Sequence, residues 1–464
     1  MAILAAFVVP HPPIILSEIG HGEEKKIQKT IDAYREVMRQ AAALKPDTIV
    51  LTSPHSVMYA DYFQISPGEK AAGDFGQFRA QEVKIEADYD KDFVRMLVDV
   101  CAGQKIPAGT IGARSAALDH GTMIPLRFWE EQPNAGSCKL VRIGLSGLPA
   151  LVHYHLGQCI AQVAEKLQRR VVFIASGDLS HKLTEEGPYG FAAEGPQFDE
   201  RCTAALGKGD FLSLLQMDEV FCEAAAECGL HSFWIMAGAL DRKAVESRLL
   251  SYEGPFGVGY GVASFLVTGV DESRNIGEQL TACEQADLRD RKATEDAYVK
   301  LARLSIETFV RTRSYAALPA DLPAQLTQER AGAFVSIKEH GHLRGCIGTI
   351  GPTQDSLADE ILYNAVSAAA NDPRFDPIQP DELPQLVYSV DVLGAPEPVE
   401  SSQELNAAEY GVIVETKDGR RGLLLPDLAG VTTPQKQMDI ARQKANIAPH
   451  EPVKLWRFKV VRHK

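Results

Sequence analysis

The sequence lacks any run of about 20 apolar residues, the length a helix needs to cross a bilayer. Its first apolar stretch, Met1 to Val9, has no basic flank and runs into His11-Pro12-Pro13, so a buried first strand is expected there, neither a signal peptide nor a membrane span. Cysteine is sparse: eight residues in 464, with no CxxC pair and no CxxxCxxC cluster, too few for a disulfide scaffold. A reducing cytoplasm is the expected compartment. Positive charge is in deficit, 48 Lys and Arg against 62 Asp and Glu, and a formal charge of −14 makes nucleic acid and anionic membranes unexpected partners. What is present is ample core material: 45% of residues are apolar and 24% charged, enough over 464 residues for two large domains or three smaller ones.

From Met1 to about Val270 the pattern is strand, loop, helix, repeated. That rhythm predicts an α/β domain over residues 1–270, a mostly parallel sheet with helices on both faces. The clearest strands are Ala2–Val9, Thr48–Thr52, Leu140–Leu145 and Val171–Ser176, each almost wholly apolar, as a strand covered on both faces must be. The clearest helices are Lys25–Leu44, Leu151–Gln168 and Phe221–Leu240, and Gly254–Gly269 reads as a closing strand. Gly68–Gly76 reads as a glycine-rich surface turn. Polarity rises after Asp271, so a linker is expected over residues 271–290 before a helix near Ala293–Thr312. A second, α+β domain follows over residues 285–464: strands at Gly332–Lys338 and Leu343–Ile350 joined by a turn at Glu339–His342, a helix at Asp355–Ala370, and strands at Leu386–Leu393, Gly411–Glu415 and Gly422–Leu425.

The chemistry lies in a repeated local grammar, an apolar strand running into a loop that carries a histidine. In an open parallel sheet, ligands bind beyond the carboxyl ends of the strands, where several loops converge. Pro10-His11, Pro54-His55 and Ser176-Gly177-Asp178-Leu179-Ser180-His181 each place an imidazole just past a strand end, and two such rings can share one metal. A third ligand is offered by Ala226-Glu227-Cys228-Gly229-Leu230-His231, where the Glu227 carboxylate opens an apolar run and is costly to bury unpaired. Two imidazoles and one carboxylate suit non-haem Fe(II), and the same set suits a Zn hydrolase. His153 and His155 face different directions at the start of a helix and are expected at the surface, His21 in a solvated loop, and His231 in the core or behind the ligands.

Val9-Pro10-His11-Pro12-Pro13, Ser53-Pro54-His55-Ser56, Leu118-Asp119-His120-Gly121-Thr122 and Ala175-Ser176-Gly177-Asp178-Leu179-Ser180-His181 together resemble the class III extradiol dioxygenases, the LigB-like superfamily with its Memo-like branch. The resemblance implies one Fe(II) held by His11, His55 and Glu227, His181 as the acid/base group, and His120 as a further active-site hydrogen-bonding residue. It also implies a catechol-like aromatic diol as substrate, with Zn or Cu as alternative ions, and association into a homo-oligomer. A Memo-like site has a cysteine of a Cys-Gly pair as third ligand, and Cys228-Gly229 stands next to Glu227. Neighbouring helix positions point about 100° apart, so one of the two faces the metal; Glu227 is preferred, with Cys228 the alternative, because open-site Fe(II) chemistry suits a carboxylate.

In the second domain Arg344 and Cys346 fall on one face of a strand, where the cation is positioned to lower the thiol pKa; a buried inert cysteine is the plainer reading. Leu343–Thr349, Asn371-Asp372-Pro373-Arg374-Phe375 and Tyr388–Leu393 resemble the AMMECR domain, which implies a domain type and no reaction. A Memo-like fold fused to this domain is similar to the first protein of the AmmeMemoRadiSam system, which implies a radical S-adenosylmethionine protein as partner. Four expectations compete: an Fe(II) ring-cleavage oxidoreductase, a Memo-like metal protein serving that radical partner, a Zn hydrolase, and a binding module in which the site is vestigial and the AMMECR domain recruits a partner.

Overall fold

A computed structural model describes residues 2–113, 117–133, 135, 138–339, 341–428 and 430–464. Met1, the first residue of the expected N-terminal domain, and His340, in the turn expected at Glu339–His342, lie outside the described residues. The chain forms two compact units, Met1–Cys283 and Glu284–Lys464.

The N-terminal unit is built on six strands: β1 (Ile3–Val9), β2 (Thr48–Ser53), β3 (Lys139–Gly144), β4 (Val171–Ser176), β5 (Lys243–Glu253) and β6 (Tyr260–Val270). Their order is β3-β2-β4-β1-β6-β5. The first four run parallel, and β6 and β5 close the sheet antiparallel. Alternate residues of each central strand enter opposite cores. Val171, Phe173 and Ala175 of β4 pack with helices Ala150–Lys166 and Leu230–Ala239, while Val172 and Ile174 pack with helix Gln28–Ala43. A strand buried on both faces has no use for polar residues, which is why these runs are continuously apolar; fully burying one such side chain contributes about 1.5–3 kcal/mol.

Three segments depart from the sequence reading. Lys70–Phe75 and Ala80–Asp88 form an antiparallel hairpin where a surface turn was expected. Residues 271–290 are largely helical, within Ile276–Thr294, because Glu, Gln, Ala, Leu, Arg and Lys favour an exposed helix over a loop, and Arg291 pairs with Asp287 one turn away. The helix expected over Phe221–Leu240 is two, Glu219–Ala225 and Leu230–Ala239, with Ala226 in the left-handed region at φ 52°. That conformation costs about 1 kcal/mol for a residue with a Cβ, and it turns the chain back toward the end of β4.

The C-terminal unit is α+β. Strand Ala333–Glu339 lies between His342–Gly348 and Leu386–Leu393, with Val460–His463 at the far edge. Helices Ala297–Thr312 and Leu357–Ala370 bury Ile306, Ile361 and Ala365 with Val335 and Ile337 of that sheet. A second four-stranded sheet, centred on Gly411–Glu415 and Lys454–Phe458, packs with helix Pro434–Lys444 through Val412, Val414 and Ala441. Among the described residues no helix is long and apolar enough to cross a membrane.

Candidate metal centre

Three strand ends converge. β1 leads through Pro10 to His11, β2 ends at Ser53 just before His55, and β4 ends at Ser176 just before Asp178. Val9 stands opposite Ser176 in the parallel register, so His11 meets the turn after β4. The His11 backbone N–H donates to Asp178 Oδ1 at 2.8 Å. The His11 ring places Nδ1 3.0 Å from Ser176 Oγ, and Ser176 Oγ donates its own proton to the Gly121 carbonyl at 2.7 Å. A hydroxyl has one proton to give, so His11 Nδ1 is the donor and Nε2 carries a lone pair. That Nε2 lies 3.0 Å from His55 Nε2 and 3.7 Å from Cys228 Sγ.

His120 completes the cluster from the first turn of helix His120–Glu130. Asp119 caps that helix, accepting from the Thr122 N–H at 2.9 Å, and also accepts from Ser53 Oγ at 2.6 Å. One carboxylate therefore ties the loop of His55 to the helix of His120. Gly121 makes the approach feasible, since a Cβ there would stand 2.5 Å from Ser53 Oγ. Ring nitrogens of His11, His55 and His120 lie within 4.8 Å of one another, as do donor atoms of His11, Asp178 and Cys228. Burial, then His55, holds the His11 pKa well below its usual value. Burial, then His55 and His11, lowers His120 to about 3. Desolvation also lowers His55, against the pull of Asp119 and Asp178. All three rings are neutral at pH 7, the form that ligates.

The two candidates for third ligand are placed differently. Glu227 turns away: its Oε2 accepts the Leu230 N–H at 2.7 Å and caps helix Leu230–Ala239, and burial pushes its carboxyl pKa up to about 7. Cys228 takes the inner position because residues 226–229 form a turn rather than a regular helix. The turn lies hard against β4, where a Cβ on Gly177 would stand 2.1 Å from the Gly229 Cα. The Asp178 N–H donates to Cys228 Sγ at 3.3 Å. Burial raises the free thiol pKa well above its usual value, so a thiolate here requires a cation beside it.

His181 lies on the same loop as Asp178. Its Nδ1 is 2.6 Å from the Ala226 carbonyl, which only accepts, so Nδ1 carries the proton and Nε2 is free to take one. The Tyr189 ring meets it edge to face at 5.3 Å between centroids. Asp199 steadies the loop, accepting from the Ser180 N–H at 2.8 Å and the Tyr252 hydroxyl at 2.7 Å. A cleft of about 900 Å³ is lined by His55, His120, Gln77, Lys84 and Arg142.

The donor set fits a metal. Two nitrogens, each about 2.1 Å from one ion and at right angles, stand about 3.0 Å apart, the separation of the two Nε2 atoms. Ser176 and Asp119 brace His11 and the loop of His55 from behind, while Asp178, whose Oδ2 lies 4.0 Å from His11 Nε2, stands among the donor atoms themselves. The signal for Asp119 was present in Asp119-His120-Gly121-Thr122, an N-cap spaced to bond the third helical residue.

Residues 5–263 match the family model described as the catalytic LigB subunit of aromatic ring-opening dioxygenase, and residues 299–463 match AMMECR1. The chain belongs to the LigB family. An AMMECR1 domain follows its LigB domain. Protein CA_C1420 of Clostridium acetobutylicum is 37% identical over 472 residues, 100% of each chain. A Thermotoga maritima protein is 49% identical over 172 residues, 37% of this chain and 98% of its own. Among solved structures, JW3007 from Escherichia coli K12 covers 57% of this chain and 99% of its own at 16% identity and a TM-score of 0.40. PH0010 from Pyrococcus horikoshii covers 36% and 88% at 30% identity and a TM-score of 0.34.

Other expected placements fare differently in this LigB protein. His153 is fully buried, against the expectation of a surface residue, because it shares the inner face of helix Ala150–Lys166 with Leu156, Gly157 and Ile160. His231 stacks on Trp234 at 4.5 Å and bonds the Ser146 carbonyl, behind the centre. In the AMMECR1 domain, Arg344 is not the partner of Cys346. Its guanidinium is held by Glu382 at 2.7 and 3.1 Å and by the Asp376 carbonyl at 2.8 Å.

Proposed function

We propose that the LigB domain is a metal-dependent oxidoreductase that opens a catechol-like aromatic diol next to its hydroxyls. The carrying observation is the unprotonated Nε2 of His11, fixed by Ser176 and facing His55 Nε2 at 3.0 Å. His11, His55 and Cys228 would hold the ion, with His120 beside them. When bound, a redox-active ion such as Fe(II) supplies the charge that favours a diolate and the electrons for dioxygen chemistry. The chain does the rest. His181 Nε2 takes a proton from a substrate hydroxyl while its Nδ1–H stays bonded to Ala226. The cleft beside His55 and His120 admits a ring-sized substrate, with Lys84 and Gln77 on its wall.

A second reading follows from Cys228. A thiolate among imidazoles suits softer ions, Zn and Cu included, better than a carboxylate would, and this favours a Memo-like metal protein acting with a radical S-adenosylmethionine partner. Purification without oxygen or added metal, then an oxygen electrode trace with a catechol panel, decides between them. Iron near one per chain with catechol-dependent uptake supports ring cleavage. Copper or zinc, or iron without uptake, overturns it in favour of the second reading.

A further inference from the structure

The cleft beside His55 and His120 adjoins a second cavity, of about 710 Å³, floored by Ile49, Leu126, Trp129 and Leu140. Three elements line both spaces with their opposite ends. β3 offers Leu140 to the far cavity and Arg142 to the cleft, two residues on one face of the strand and about 7 Å apart. Helix His120–Glu130 starts in the cleft at His120 and reaches the far cavity at Trp129, a span of about 14 Å at a rise of about 1.5 Å per residue. The hairpin does the same, with Lys84 at the cleft and Asp88 at the far end. Ala72, Glu86 and Ala117 border both spaces, and the two alanines are exposed and small, which leaves the junction open. One trough therefore leads from the metal centre along the sheet, polar at its near end and apolar at its far floor.

The near end holds a cation with donors to spare. Arg142 is only 3% exposed, yet its guanidinium bonds one protein acceptor, Nη1 donating to the Ala117 carbonyl at 3.0 Å. Nε is shut from solvent and has no partner. The carboxylate nearest it among the described residues, Asp119, stands 4.0 Å from Nε, and its oxygens already accept from Ser53 and Thr122. A buried charged donor without an acceptor is costly, so the site suits an oxygen that arrives with a ligand. A second carboxylate there would face Asp119, and like charges repel; a neutral carbonyl meets the same donors without that cost.

We propose that the diol taken by the metal centre carries a neutral acyl arm, an ester or an amide, whose carbonyl accepts from Arg142 and whose apolar tail lies along the trough over Trp129 and Leu140. The inference deepens the function proposed above and rests on it for the diol end alone. Arg142 and the apolar floor act on the arm, with or without an ion. Arg142 is thus a specificity-determining residue and touches no reacting atom.

The test uses the full chain, metal-loaded and metal-free, with probes that cannot chelate: alkyl 4-hydroxybenzoates from ethyl to hexyl, and 4-alkylphenols of equal length that lack the carbonyl. Calorimetry reads the binding. Affinity for the esters is expected to rise about fourfold per methylene, and each ester is expected to bind at least about tenfold tighter than its alkylphenol, as a bond to a charged donor implies. Ala72→Trp, at the exposed junction, flattens the rise with chain length and leaves the ethyl ester within about twofold. Arg142→Met brings ester and alkylphenol to one affinity; Arg142 is buried, and the two probe series on the unmutated chain decide the matter without that variant. Affinity independent of chain length in the unmutated chain, or equal affinity for ester and alkylphenol, overturns the proposal. Oxygen uptake with alkyl 3,4-dihydroxybenzoates is read separately: tight binding of the 4-hydroxybenzoates without uptake of oxygen counts against ring cleavage while the arm site holds.

Discussion

Gly177→Ala tests how the metal centre is assembled. A Cβ at Gly177 would stand 2.1 Å from the Gly229 Cα and 3.1 Å from its nitrogen. Carbon atoms rest at about 3.5–4.0 Å, so the end of β4 and the 226–229 turn must part by about 1.4 Å or more. Both are backbone, and neither can yield by a rotamer change. Cys228, next to Gly229, starts 3.7 Å from His11 Nε2 and would be carried out of ligating range. Overpacking of this kind costs about 1–3 kcal/mol, a fall of about 2–4 °C in Tm per kcal/mol for a domain of this size. Losing the orientation of a ligand lowers metal affinity about 10–100-fold. Metal titration and thermal denaturation read the two effects on one sample. An affinity within twofold of wild type, with the Tm lowered as expected, would refute the claim that this contact seats Cys228.

Other perturbations separate the roles of the remaining residues. His11→Ala and His55→Ala are expected to abolish metal binding, whereas His181→Ala keeps the metal and loses turnover, checked by metal analysis beside oxygen uptake. Cys228→Ala should lose the metal and Glu227→Ala should keep it, with Glu227→Ala costing about 1 kcal/mol through the lost cap on Leu230, read by chemical denaturation. Asp199 gives a pH signature. Burial raises its carboxyl to about 6 against the bonds from Tyr252 and Ser180, so between about pH 4 and 6 the folded chain keeps a proton that the unfolded chain releases. Stability therefore falls by roughly 3 kcal/mol as pH rises through that window, and Asp199→Asn should flatten this part of the profile; an unchanged slope counts against it.

The central strands were legible because burial on both faces writes itself as an apolar run: Val171–Ser176 is a strand over that same range, and Thr48 to Thr52 lies within Thr48–Ser53. The histidines were legible because a strand end followed by an imidazole is a local pattern, and the sheet brings His11 and His55 together. What was hidden depends on distant partners. The run Ala-Ala-Ala-Glu-Cys-Gly-Leu reads as continuous helix, yet the chain turns at Ala226, and Gly177, far away in sequence, leaves the room that Gly229 takes up. His153 is buried against Phe63, His231 and Trp234, all distant in sequence. Arg344 shares a face with Cys346, yet Glu382, 38 residues further along the chain, claims its guanidinium. The hairpin strand Ala80–Asp88 is legible in its alternation, with Val83 and Ile85 buried between exposed charged residues.

The central claim is that His11, His55 and Cys228 hold one metal. X-ray absorption on the metal-loaded full chain tests it most directly, because sulfur and nitrogen scatter differently at different distances. The account predicts one sulfur scatterer at about 2.3 Å beside nitrogens at about 2.0–2.1 Å, with the sulfur shell absent in Cys228→Ser. A shell of nitrogen and oxygen alone in the unmutated protein, lost in Glu227→Gln, would contradict it.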